Sequence, residues 1–175
     1  ILLHIRMTPA DQYLWTLPMF HANGWTFVWG VTAVGATHVC LRRVIPEAVF
    51  AQVAAERITT LCAAPTVVIG IANAPDEVRP GARRGVRVVT GGAPPAAATI
   101  RRIEGELGWE LVHVYGLTET SPLILTCERR PEHDALSPEQ RAVVKARQGV
   151  EFLTSGEIRV LDDAGREVPR DARTI

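Results

Sequence analysis

Short apolar runs rich in β-branched residues recur along this chain, each separated from the next by a segment long enough for a helix. Residues 13–17, 37–41, 58–62, 86–90 and 110–115 read as strands. Between them, residues 25–34, 47–56, 66–73 and 96–107 carry apolar side chains at helical spacing, and Pro46 and Pro65 stand where a first-turn proline belongs. Residues 25–34 are apolar nearly all round, which suits a buried helix. Residues 74–85 hold prolines, glycines and scattered charges and read as a loop. A β-α-β-α alternation constrains the fold strongly. Parallel neighbours need crossover helices, so the expectation is an α/β layered fold with a largely parallel sheet and flanking helices. Ligands in such folds sit beyond the carboxyl ends of the strands.

The texture changes after residue 126. Residues 127–148 are charge-rich, with Pro131 and Pro138 interspersed, and Ser137-Pro138-Glu139-Gln140 has the form of a helix start capped by Ser137. Short strands are expected again over 150–153 and 156–161, with a hairpin turn at Asp162-Asp163-Ala164-Gly165.

Composition excludes several function classes. The 175 residues carry nineteen Lys plus Arg against nineteen Asp plus Glu, so no basic excess exists to neutralise phosphates, and nucleic-acid binding is not expected. The longest apolar stretch, residues 25–40, is interrupted by Thr26, Gly30, Thr32, Gly35, Thr37 and His38. It falls short of the ~20 apolar residues of a membrane span. Cys40, Cys62 and Cys127 form an odd set without a C-x-x-C pair. They read as buried, reduced thiols of a cytoplasmic protein rather than as zinc ligands. The chain opens on Ile1 with no signal-peptide pattern and closes on Thr174-Ile175, so both ends read as cut from a longer chain.

Three segments carry chemistry. In Tyr115-Gly116-Leu117-Thr118-Glu119, a strand delivers an aromatic ring, a glycine turns the backbone, and a hydroxyl and a carboxylate follow together. A ring there can stack on a heterocycle, and a hydroxyl with a carboxylate can serve a phosphate and its Mg²⁺. On chemistry alone, a plain turn with Thr118 capping a short helix accounts for the same residues. Gly91-Gly92-Ala93-Pro94 closes another strand with small residues, as an ordinary strand-to-helix loop would too. Pro18-Met19-Phe20-His21-Ala22-Asn23-Gly24-Trp25 sets a histidine and a tryptophan beside apolar residues, where a hydrogen-bonded core histidine is the ordinary alternative.

In this order the three segments resemble the signatures of the adenylate-forming (AMP-binding) superfamily. Tyr115 to Glu119 is similar to its Y-G-x-T-E motif, Gly91 to Pro94 to its adenine-binding G-[GAE]-A-P segment, and Pro18 to Trp25 to the P-x-F-H-x-x-[GA]-W segment of its fatty acyl-CoA synthetase branch. The resemblance implies an enzyme that activates a fatty acid with Mg-ATP to an acyl-adenylate and passes the acyl group to CoA. It implies that Gly91, Gly92, Ala93, Pro94, Tyr115, Gly116, Leu117 and Thr118 surround adenine and AMP. Thr118 would meet the α-phosphate, Glu119 would hold Mg²⁺, and His21 and Trp25 would border the acyl chain, with His21, Thr118 and Glu119 as the catalytic set.

The resemblance spans nearly the whole chain, but parts of the family pattern are missing. No Gly/Ser/Thr-rich loop ending in lysine occurs, no Y-x-T-G-D ribose segment follows, and the only lysine, Lys145, lies in the charge-rich segment. The implied object is one partial AMP-binding domain over 1–175. It divides into an α/β core over 1–126, a charged loop and helix over 127–148, and a β segment over 149–175, and alone it is expected to be inactive. An aryl-CoA ligase, a peptide-synthetase adenylation domain and a non-catalytic nucleotide-binding module are the competing readings.

Overall fold

In the computed structural model, residues 1–79 and 84–169 are described. Residues 80–83 of the expected loop, and Arg173-Thr174-Ile175 at the end of the sequence, lie outside them.

Helix α1 (Leu2–Ile5) precedes β1 (Gln12–Trp15), and a tight turn, α2 (Ala22–Trp25), leads into α3 (Phe27–Ala33) and β2 (Thr37–Cys40). Then follow α4 (Pro46–Ala55), β3 (Thr60–Ala63), α5 (Pro65–Ala72), β4 (Arg87–Thr90), α6 (Ala97–Arg101) and β5 (Glu110–Tyr115). The chain continues through β6 (Leu125–Cys127), α7 (Pro138–Lys145) and β7 (Val150–Glu151). The seven strands form one sheet in the order β2-β1-β3-β4-β5-β6-β7. The first five are parallel, and β6 and β7 run antiparallel to their neighbours. This is the layered α/β fold with a largely parallel sheet that the alternation requires.

The central strands are apolar throughout because helices cover both of their faces. On one face Leu14, Leu61, Val88 and Leu111 meet Val49, Phe50 and Val53 of α4, Val68 and Ile71 of α5, and Ile100 of α6. On the other, Tyr13, Trp15, Cys62, Val89, Val112 and Val114 meet Ile5, Trp25, Phe27 and Val31. Each such side chain contributes about 1.5–3 kcal/mol by leaving water. Pro46 and Pro65 open α4 and α5 at the first turn, where a missing N–H matters least.

Local departures from the sequence reading have physical causes. Helix α3 begins at Phe27, not Trp25, because residues 22–26 take left-handed backbone angles. It is a one-sided helix, with Phe27 and Val31 inward and Trp29 64% exposed, so all-round burial does not hold. The helix expected over 96–107 narrows to α6 followed by a widened π turn, Arg102–Glu106, closed by Leu107 N–H to Arg102 O at 3.4 Å. Residues 156–160 form no strand, and Leu161 makes a single bridge to Glu167 across the expected turn. Val160 and Leu161 are exposed there, with no described sheet edge to cover them. Cys62 and Cys127 are buried free thiols as expected, whereas Cys40 is exposed on the edge strand β2.

The charge-rich segment is part of the body. Ser137 caps α7 by accepting from Gln140 N–H at 3.2 Å. Ala142 enters the core, and Lys145, 1% exposed, donates to Leu111 O at 3.0 Å and pairs with Glu104. At the chain's other end, His4 stacks on Phe152 with centroids 4.3 Å apart. Its Nε2 accepts from Leu153 N–H at 3.0 Å, which leaves Nδ1 to donate to Glu128. The early helix is thereby stapled to the segment after β7. Among the described residues, no helix is long and apolar enough to cross a membrane.

Candidate active site at the carboxyl ends of the strands

Strands β1, β3, β4 and β5 all run the same way, so the segments that follow Trp15, Ala63, Thr90 and Tyr115 emerge at one end of the sheet. The three singled-out segments therefore converge. Thr90 Oγ1 ties the end of β4 to β3 by donating to Ala63 O at 2.9 Å, and Thr16 Oγ1 ties the end of β1 to Cys62 O. Gly91 then lies against β5 so closely that a Cβ on it would stand 2.8 Å from Val114 O and 3.1 Å from Val114 Cγ2. The indole of Trp25 reaches the same point, with Cη2 3.5 Å from that Cβ position. The Trp25 indole, Gly91 and Val114 thus close on one point, Trp25 and Gly91 from two of the segments and Val114 directly before the third.

Beyond Gly91 the loop opens to solvent, and Gly92, Ala93 and Pro94 are exposed. Tyr115, 39% exposed, ends β5 beside them. Gly116 permits the next turn: a Cβ there would fall 1.6 Å from Pro122 O, so no other residue fits. Thr120 fixes the loop, its Oγ1 accepting from Leu117 N–H at 2.8 Å and lying 2.9 Å from Leu117 O and 3.1 Å from Pro122 O. The exposed Leu117, Thr118 and Glu119 are held on this turn. No hydrogen bond or ion pair to another described residue engages the Thr118 hydroxyl or the Glu119 carboxylate. Mg²⁺ usually takes only one or two protein carboxylates alongside substrate phosphates and water, so a single free carboxylate suits an ion arriving with a nucleotide. Among the described residues, no three or more His, Cys, Asp or Glu side chains gather as potential metal ligands.

His21 begins the turn, exposed, with no side-chain cap bond. Trp25 is 8% exposed and belongs to the apolar cluster beneath these segments. The turn carrying both is strained. Ala22, Asn23, Gly24, Trp25 and Thr26 have φ of 40°, 47°, 60°, 52° and 65°. Left-handed geometry costs roughly 1–2 kcal/mol for each residue bearing a Cβ, and such strain gathers at functional sites. The Asn23-Gly24 pair is a turn dipeptide that could have signalled this turn and was not read as one. Two residues beneath it, Trp15 and His38, had no such signal.

A cavity of about 670 Å³ lies elsewhere, near Glu104, Gly108, Glu110 and Lys145 at the amino ends of β4 and β5. Its charges are largely paired among themselves or with neighbours, as in Lys145–Glu104, Arg129–Asp134 and Arg87–Glu110, and none of the motif residues lines it.

Comparison with known proteins accords with this geometry. The family model described as AMP-binding enzyme matches residues 2–173. A 4-hydroxybutyrate–CoA ligase from Metallosphaera sedula is 45% identical over 170 residues, covering 97% of this chain and 31% of the relative. A probable peroxisomal acyl-activating enzyme 5 from Arabidopsis thaliana is 43% identical over 164 residues, covering 93% and 29%. The structure of O-succinylbenzoate coenzyme A synthetase from Bacillus subtilis, in complex with ATP and magnesium, superimposes with a TM-score of 0.74 at 23% identity, over 96% of this chain and 32% of that one. The chain spans about a third of the length of these relatives. With its sheet order, its converging strand ends and this match from residue 2 to residue 173, the chain belongs to the AMP-binding enzyme family.

Proposed function

We propose that this chain supplies the nucleotide- and acid-facing end of the sheet in an AMP-forming acid–CoA ligase. The observation that carries the reading is the convergence of Trp25, Gly91 and Val114 at one sheet end, with Tyr115, Thr118 and Glu119 free just beyond. A carboxylate oxygen attacks the α-phosphorus of ATP, pyrophosphate leaves, and an acyl-adenylate forms. The CoA thiol then attacks the acyl carbonyl and AMP leaves.

In this scheme Tyr115 stacks on adenine, while the open backbone of Gly91, Gly92, Ala93 and Pro94 lets the base come close. The Thr118 hydroxyl donates to an α-phosphate oxygen, and Gly116 and Leu117 set its turn. Glu119 would hold Mg²⁺, which when bound neutralises charge building on the phosphoryl oxygens. His21 borders the reacting carboxylate, and Trp25 walls the acyl side. The acid is aliphatic, with fatty acids the expected class. A buried indole offers an apolar wall, and a relative 45% identical carries 4-hydroxybutyrate in its name. Burial pushes the Cys62 thiol up, which keeps it inert and suits the cytoplasm.

The test is Glu119→Gln in the intact protein. Acid-dependent exchange of pyrophosphate into ATP is expected to fall by about 100-fold or more, with the melting temperature unchanged. Full exchange in the variant would remove the assignment. An acid panel separates the branches: benzoate or an amino acid outcompeting octanoate would sink the aliphatic reading.

A further inference from the structure

Five successive left-handed residues need something to hold them. Directly beneath Gly24 lies Trp15, 4% exposed: a Cβ on Gly24 would stand 2.7 Å from its Cζ3 and 2.8 Å from its Cη2. The indole is therefore the platform on which the turn rests. Its opposite edge points to β2, where Nε1–H donates to His38 Nδ1 at 2.9 Å, with the two rings within 4° of coplanar. His38 Nε2 lies 3.1 Å from Thr32 Oγ1, and Thr32 Oγ1–H donates to Val28 O at 2.7 Å.

The direction of every bond follows from the donors. An indole nitrogen has only a proton to give, so Nδ1 accepts. Thr32 directs its proton to a carbonyl, so it accepts from Nε2–H. The result is one chain of donors, Trp15 to His38 to Thr32 to Val28, through a neutral histidine. It ends in the first turn of α3, immediately after the left-handed turn. One relay thus fixes both the platform under Gly24 and the helix that leaves it.

We propose that His38, acting through Trp15, is a positioning residue for the acid-facing turn: the pair holds the left-handed turn so that the Trp25 indole stays beside Gly91 and His21 stays exposed at the turn's start. This rests on the reading of His21 and Trp25 as acid-facing. His38 is on an exposed edge strand and its hydrogen bonds and ring contact go to Trp15 and Thr32, so its effect on the acid passes through the indole.

The experiment compares His38→Leu, which has no acceptor, with His38→Asn, whose Oδ1 can replace Nδ1, in the intact protein. Steady-state exchange gives KM for octanoate and for ATP, and tryptophan labelling with fluorine gives separate resonances for Trp15 and Trp25. In His38→Leu, KM for the acid is expected to rise by about five-fold while KM for ATP changes by less than about two-fold. Both resonances shift, and His38→Asn restores all of these. A Trp15 shift with an unchanged acid KM would overturn the proposal, as would equal rises in both KM values or no rescue by asparagine. If the wild type shows no acid-dependent exchange, the ligase reading fails by itself. The hold on the turn is then judged by Trp25 alone: a shift in His38→Leu that His38→Asn reverses supports it, and an unmoved resonance overturns it.

Discussion

At the scale of single residues, the site depends on atoms that are missing as much as on those present. Gly91 has no Cβ, and the space that atom would occupy is already bounded by Val114 O, Val114 Cγ2 and the Trp25 indole. Gly91→Ala must push β4 from β5 or displace the indole, and overpacking of this kind costs about 1–3 kcal/mol. The expected outcome is a melting temperature lower by several degrees, together with a raised KM for ATP. An unchanged melting temperature and KM would show that the contact is not tight. The glycine pair at 91–92 was legible in the sequence as a strand-end turn, because Gly-Gly before Ala-Pro-Pro suits little else. Which glycine answers to crowding was not legible, since that depends on Val114 and Trp25, distant in sequence. That Trp25 packs into the core was not legible, because one aromatic beside glycine suits a pocket or a core equally. His38 was invisible for the same reason: its partner Trp15 is 23 positions away on the neighbouring strand.

At the scale of elements, the join between α6, α7 and β5 turns on one buried cation. Lys145 lies in the last turn of α7, donates to Leu111 O and pairs with Glu104, whose Oε1 also accepts from Leu111 N–H at 3.2 Å. The π turn at Arg102–Glu106 includes Glu104, so this irregular stretch holds one corner of the triangle. Removing the cation strands a mostly covered carboxylate, whereas removing both charges leaves a neutral amide that can still accept from Leu111 N–H. Lys145→Met is therefore expected to destabilise by about 3 kcal/mol, and Lys145→Met with Glu104→Gln to recover at least about half of that. Urea unfolding of the single and double variants checks it; additive losses would mean that the two groups do not act as a pair. Four of the five parallel strands were legible because doubly covered strands are apolar along their length, and the exposed edge strand β2 was legible from its β-branched Thr37 and Val39. Strand β6 was not, since three residues, Leu125–Cys127, give no period to read. The reverse error, a strand over 156–161, arose because β-branched content marks an extended segment without supplying a partner for it.

At the scale of the whole molecule, the sheet separates two kinds of polarity. Its carboxyl end leaves Thr118 and Glu119 open to solvent, while at its amino end Lys145 pairs with Glu104, Arg129 with Asp134 and Arg87 with Glu110. That the three motif segments share one end of the sheet was legible once strand direction was, because parallel strands deliver their following loops to one end. The interior polarity was not legible, and one group in it makes stability depend on pH. His113 is 2% exposed in β5, and its Nδ1–H donates to Arg147 O at 2.8 Å, just beyond α7. Burial holds its pKa below the ordinary 6.5, with the carbonyl bond offsetting part of that. Below about pH 6.5 the unfolded chain takes up a proton that the folded chain refuses, so stability falls with pH through that window. The fall levels off once pH drops beneath the folded pKa. Asp11 acts separately and at lower pH. Desolvation raises its pKa, but hydrogen bonds from Thr59 and Thr8 outweigh this, so its net pKa lies below 3.8 and its contribution is lost only as pH falls through that folded value. The urea midpoint should therefore be lower at about pH 5.5 than at about pH 7.5, and His113→Asn, with an amide in place of the titrating ring, should remove most of the difference. An equal decline in the variant would place the titration elsewhere and leave His113 as a structural link between β5 and the end of α7.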